Sequence, residues 1–183
     1  MSNWNQLAND QTIETTIKAL KENGIEAQVV ETAKDAKDKV IEIIPEGSEV
    51  MTMSSVSLED TGITQLINES GKYDSVKKKL FSMDPKKEKV DMQKVGAAPE
   101  YALGSVHAVT SDGKLVIASN TGSQLGAYAY ASKHVIWIVG TQKIVKNIED
   151  GIKRLEEYVV PKEDVHMQKL YGVHTNIDRK SVV

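Results

Sequence analysis

The pattern of the chain predicts an α/β protein. The expected fold is an open, mostly parallel sheet carrying an antiparallel hairpin, with helices on both faces. Three observations carry this reading. Helix-like and strand-like segments alternate from Asn3 to Gly71, as they do where parallel strands are joined by helices. Asp112-Gly113 lies between two apolar runs, Val106 to Thr110 and Lys114 to Ser119, which is a hairpin signal. His134 to Val139 is a continuous apolar run bounded by Gly140, the pattern of a central strand covered on both faces.

Each element has its own justification. Trp4, Leu7, Ile13, Ile17 and Leu20 fall at helical intervals across Asn3 to Asn23, and Gly24 offers the left-handed position that ends a helix. Ile25 to Glu31 reads as a short strand. Thr32, with Asp35 three residues on, forms a capping box for a helix whose apolar face is Ala36, Val40, Ile43 and Ile44. Pro45-Glu46-Gly47 stops it. Glu49 to Met53 is the next strand. Ser57 with Asp60 signals the start of a helix running through Leu58, Ile63, Leu66 and Ile67 to Gly71. Lysines 77–79, 86, 87 and 89 are interleaved with Asp84, Glu88 and Asp91, which describes a solvated helix face, with Asp84-Pro85 as cap and first turn. After the hairpin comes a small-residue helix, Leu125 to Ser132, on which Tyr128 and Tyr130 cannot share a face. Ile148, Ile152, Leu155 and Val159 form the stripe of the last helix, which Pro161 is expected to close. Nothing after Gly172 is periodic. Residues 1–172 are therefore expected as one domain and 173–183 as a C-terminal tail.

Composition narrows the functional classes. A chain of 183 residues can bury about 70 % of its surface, so it needs no covalent staple. It has no cysteine, which removes disulfides, thiol nucleophiles and cysteine-ligated metals. With 23 basic and 26 acidic side chains the net charge is −3, which gives no reason to expect nucleic acid or an anionic membrane as partner. The polar start predicts no signal peptide, and no apolar run reaches the length of a membrane span. A cytoplasmic location is expected. His107, His134, His166 and His174 lack metal-ligand spacing, so neither a metal nor another cofactor is expected.

Three loops leave the ends of expected strands, where backbone amides and helix N-termini favour anions. Ser54, Ser55 and Ser57 occupy the first, though Ser57 also reads as a plain helix cap. Asn120, Thr121 and Gly122 occupy the second, where Gly122 suits either a close ligand or a simple left-handed turn. Gly140 and Lys143 occupy the third. A lysine in such a position is usually solvated, yet it could supply a point charge. Asp112 and Glu149 are the carboxylates available for acid–base work.

The stretch from Val109 to Glu149 reads V-T-S-D-G-K-L-V, then N-T-G-S-Q-L-G-A, then K-H-V-I-W-I-V-G-T-Q-K-I-V-K-N-I-E. With I-P-E-G-S-E-V-M and S-S-V-S-L-E-D-T-G-I upstream, the chain resembles the LUD domain, the family of lactate-utilisation C-subunit-like proteins, to about Gly172. The resemblance implies an open, Rossmann-like fold of the superfamily that contains glucosamine-phosphate deaminases, ribose-phosphate isomerases and CoA transferases. It also implies a setting in lactate or carbohydrate utilisation, beside iron–sulfur subunits of lactate oxidation. Ser111 stands where many relatives have glutamate, and Gln124 where many have arginine. Three functions are thus in view. The first is binding of a small anionic metabolite, whether a hydroxy acid, a sugar phosphate or a CoA-like molecule. The second is a non-catalytic partner subunit, possible also as a homo-oligomer. The third is a sugar-phosphate isomerase-like enzyme, by fold analogy alone.

Overall fold

The structure is a computed structural model that describes residues 3–175, 177 and 179–182. In chain order the elements are α1 (Asp10–Glu22), α2 (Ala33–Ile43), β1 (Glu49–Thr52), α3 (Val56–Asp60), α4 (Ile63–Glu69), β2 (Asp74–Ser75), α5 (Val76–Ser82) and α6 (Lys89–Ala97). Then come β3 (Tyr101–Gly104), β4 (Ala108–Thr110), β5 (Leu115–Ser119), α7 (Ser123–Gly126), β6 (His134–Trp137), β7 (Ile144–Val145), α8 (Ile148–Arg154), α9 (Val160–Tyr171) and β8 (Arg179–Val182). They form two compact units: a parallel unit of residues 29–105 and 123–138, and a hairpin unit of residues 1–28, 106–122 and 139–183.

In the parallel unit the strand order is β2-β1-β3-β6, and every pair is parallel, as the α/β reading requires. The chain leaves β1 for β2 on one side and later returns as β3 on the other, so the order reverses between β1 and β3. Val40, Ile44, Val50, Leu58, Ile63 and Leu103 anchor the core. Asn68 ties the layer together: its amide donates to Thr52 Oγ at 2.9 Å, and its carbonyl accepts from Ser75 Oγ at 2.6 Å. Thr52 and Ser75 are buried, so these bonds replace water that neither can reach.

Several boundaries differ from the sequence reading. The capping box at Thr32 and Asp35 is present. Ser57, however, lies inside α3, whose N-cap is Ser55, and the expected single helix is split at Gly62, whose φ is +69°. Asp84-Pro85 opens a turn in which the Asp84 carboxylate accepts the Lys86 amide, and α6 starts only at Lys89. β6 is an edge strand of its sheet and partly exposed, not a central one. An apolar run records which residues avoid water, not how many strands flank them. Ile25 to Glu31 is not a strand; Val29 and Val30 are exposed on the segment where the chain passes from one unit to the next.

In the hairpin unit the order is β7-β4-β5-β8. β4 and β5 are antiparallel, as the Asp112-Gly113 signal indicates, and they belong to this second sheet. Gly113 has φ +82°, and a β-carbon there would come within 2.6 Å of the Ala19 carbonyl carbon. Asn23 fastens the turn from α1, donating to the Asp112 and Gly113 carbonyls at 3.2 and 3.0 Å. Helix α1 begins at Asp10, capped by Asn9, so Trp4 and Leu7 precede it; Trp4 packs on Ala108, Val116 and Val145. Arg179–Val182, within the expected tail, forms β8 against β5. Its sequence has no apolar alternation, and the pairing is carried by the backbone.

Pro161 does not end the last helix. A π turn over Leu155–Val159 joins α8 to α9 and shifts the hydrogen-bond ladder just ahead of the proline, so the helix runs on to Gly172. Gly151 lets α8 lie close on the hairpin: a β-carbon there would sit 2.8 Å from Val116 Cγ2 and 3.5 Å from Ala108 Cβ. Val116 is fully buried and β-branched, so it cannot swing away. Gly151→Ala is expected to lower stability by about 1–2 kcal/mol, because overpacking outweighs the ~1 kcal/mol gained in helix propensity. Urea denaturation checks this; a more stable variant would show that α8 can shift without loss.

Candidate functional site

The side chains with the most altered chemistry lie in the hairpin unit, at the start of β4. Arg154, on α8 three residues after Gly151, is only 3 % exposed. Its Nη1 donates to the His107 carbonyl at 2.6 Å, and its Cζ lies 5.1 Å from the centre of the Tyr158 ring. Its Nε is buried without a partner, and no carboxylate among the described residues pairs with it. Lys162 covers the same ring, its Nζ 4.1 Å from the centroid. The guanidinium is therefore held by a carbonyl and a π face, neither of which cancels its charge.

That charge acts on two neighbours. The His107 ring takes the Ala118 amide hydrogen on Nδ1 at 3.2 Å, which leaves the ring hydrogen on Nε2. Burial first, then the charges of Lys143 and Arg154, push the imidazole down to about 4. Lys143 closes a 3-10 turn, Thr141–Lys143, its amide bonded to the Gly140 carbonyl at 3.0 Å. It is half-buried, not solvated as such lysines usually are. Burial first, then Arg154, bring its ammonium down to about 8. The next residue, Ile144, pairs with Val109, which sets the turn beside the beginning of β4.

The other sequence candidates take varied positions. Asp112 is exposed at the hairpin tip, where Lys114 and Thr110 bond its carboxylate and lower its pKa. Glu149 is exposed in the first turn of α8, whose cap is Asn147. Asn120 and Thr121 are exposed after β5, and Gly122, at φ +76°, donates to Ser119 Oγ at 3.0 Å. The Gln142 carboxamide lies over the Gly140 α-carbon, where a β-carbon would be. A groove of about 350 Å³ between α1 and β7, lined by Thr12, Thr15, Ser111, Ile144, Val145 and Lys146, is a further recess of mixed character in this unit.

In the parallel unit Ser54, Ser55 and Ser57 follow β1, at the strand-order reversal where ligands of such sheets gather. Ser57 Oγ is 3.5 Å from Ser105 Oγ, which donates to the Ile138 carbonyl at 2.6 Å. Tyr128, with its hydroxyl against Gly104, meets Trp137 edge-on at 5.7 Å, and burial raises its phenol pKa. Ser105 and Tyr128 were not singled out from sequence; nor were Arg154 and His107 as a pair. A signal for Arg154 did exist: it interrupts the apolar stripe of α8 between Gly151 and Leu155, both buried.

The parallel, switch-point sheet of one unit and the hairpin sheet of the other define an α/β protein of the open-sheet class. Within that class the chain belongs to the LUD domain family, whose sequence model matches residues 13–181. The match runs through β8, beyond Gly172. No curated protein and no solved structure gives a match. Among the described residues no helix is long and apolar enough to cross a membrane.

The His107 shift fixes a pH dependence. The folded ring holds its proton only below about 4, whereas an unfolded histidine takes one up near 6.5. The unfolded state therefore binds more protons between those values, and stability falls as pH drops through that window, by on the order of 3 kcal/mol. Lys143 acts likewise on the alkaline side: folded near 8 against 10.5, it makes stability rise from pH 8 to 10.5. His107→Asn, which keeps an acceptor for the Ala118 amide, should flatten the acid limb of a urea-midpoint profile. An unchanged limb would assign that titration to other groups.

Proposed function

We propose that this LUD-domain protein binds a small anionic metabolite at the Lys143–Arg154 cluster, in hydroxy-acid or carbohydrate utilisation in the cytoplasm. The observation that carries the reading is the buried Arg154 charge, which no described carboxylate offsets. A carboxylate or phosphate arriving beside Lys143 gains from that charge in a medium of low dielectric. Hydroxy acids, sugar phosphates and CoA-like molecules all present such a group. The family name supports the lactate setting, with iron–sulfur lactate-oxidation subunits as neighbours.

A second reading, a partner subunit without chemistry of its own, is favoured by one local fact. Ser111 is tied into its turn, its hydroxyl donating to the Lys146 carbonyl at 2.9 Å, so it does not replace the glutamate of relatives as a reactive group. A thermal-shift series with lactate, pyruvate, sugar phosphates, CoA and nucleotides separates the two. A ligand at 100 times its Kd adds about 2.7 kcal/mol of stability. A flat series would favour the partner subunit. For a ligand that does bind, Lys143→Ala is expected to weaken affinity about tenfold or more, ~1.4 kcal/mol by titration calorimetry. Unchanged affinity would move the site away from Lys143.

A further inference from the structure

The recess between α1 and β7 has a donor and acceptor pattern of its own. Ser111 and Lys146 each follow the carboxyl end of a strand, β4 and β7, which run parallel and side by side. Helix α1 contributes Gln11, Thr12 and Thr15, and Ile144 and Val145 supply the apolar part. All of these residues belong to the hairpin unit, and none is shared with the Lys143–Arg154 cluster. At about 350 Å³ the recess has room for a molecule of a few carbons. The hydroxyl protons of Thr15 and Ser111 are already committed, to the Gln11 carbonyl at 2.8 Å and the Lys146 carbonyl at 2.9 Å. Each of these oxygens is left to an incoming group only as an acceptor. Lys146 carries the one charge on the lining, a group that only donates, and it has no ion pair among the described residues. Asp10 and Glu14, the carboxylates on this stretch of α1, are not part of the lining.

We propose that this recess binds a short hydroxy acid, its carboxylate on Lys146 and its hydroxyl donating to Thr15 or Ser111. The lining asks for three things at once: an anionic acceptor for the ammonium, a proton for the committed hydroxyls, and a short hydrocarbon part against Ile144 and Val145. A plain carboxylate lacks the proton. Inorganic phosphate lacks the hydrocarbon and brings more charge than a single ammonium balances. The Gln11 carboxamide and the Thr12 hydroxyl, without partners among the described residues, turn to donate or accept beside either group. This is a second place on the chain, and it does not rest on the Lys143–Arg154 reading.

The test is an NMR titration of the full chain with 2-hydroxybutyrate, in which backbone amide shifts locate the contact. Shifts are expected at Thr12, Thr15, Ser111 and Lys146. Butyrate, which lacks the hydroxyl, and 2-hydroxybutyramide, which lacks the charge, should each bind about tenfold more weakly. Lys146→Gln should weaken 2-hydroxybutyrate by a similar factor. Thr15→Glu, which sets a carboxylate at the recess, should abolish binding. Both positions are exposed, and the amide spectrum of each variant reports that its fold is kept. If butyrate binds as tightly as the hydroxy acid, the hydroxyl has no role and the ligand class falls. If inorganic phosphate binds at the same amides more tightly, the class falls as well. If the shifts gather at Lys143 and Arg154 and Lys146→Gln changes nothing, the recess is overturned as a site while the Lys143–Arg154 reading stands.

Discussion

The bond from Arg154 to the His107 carbonyl is the constraint on which the hairpin unit is organised. A guanidinium removed from water costs several kcal/mol unless its surroundings compensate, and here they do so only in part. The carbonyl and the Tyr158 ring fix its position, while its Nε stays without a partner. The bond is reachable because Gly151 has no side chain to hold α8 away from Val116 and Ala108. One missing methyl group thereby sets the depth at which a positive charge is buried. That charge adds to the burial that already lowers the proton affinity of two other residues.

Much of the fold was legible because it follows local rules. The capping box at Thr32 needs only a hydroxyl and a carboxylate three residues apart, and the hairpin at Asp112-Gly113 needs only a turn that glycine can adopt. What escaped depends on partners distant in sequence. Ile25 to Glu31 has a strand's composition but no strand beside it. β8 has a neighbour in β5 but no apolar pattern to announce it. Pro161 reads as a stop until the π turn ahead of it is seen.

The site divides in the same way. Lys143 was legible as a loop residue after a strand-like run, because loop position is a property of the order of elements. Its burial was not, since that depends on how α8 and β4 meet. Arg154 looks in sequence like one more charge on an amphipathic helix. Only the packing of Gly151 shows that it faces inward. His107 hydrogen-bonds on the hairpin through Ala118. Its loss of basicity comes first from burial and then from two cations brought up from elsewhere in the chain.

The polypeptide crosses between its two units four times, after Gln28, Ser105, Gly122 and Ile138. During synthesis this imposes a schedule. Every strand of the parallel unit has been made once β6 is complete, whereas the sheet of the hairpin unit waits for β8, made last of all the strands. Until then β5 has an open edge, and α8, which carries Arg154, has not long left the ribosome. The parallel unit can therefore settle first, while the charged cluster of the hairpin unit is assembled only as the last part of the chain appears.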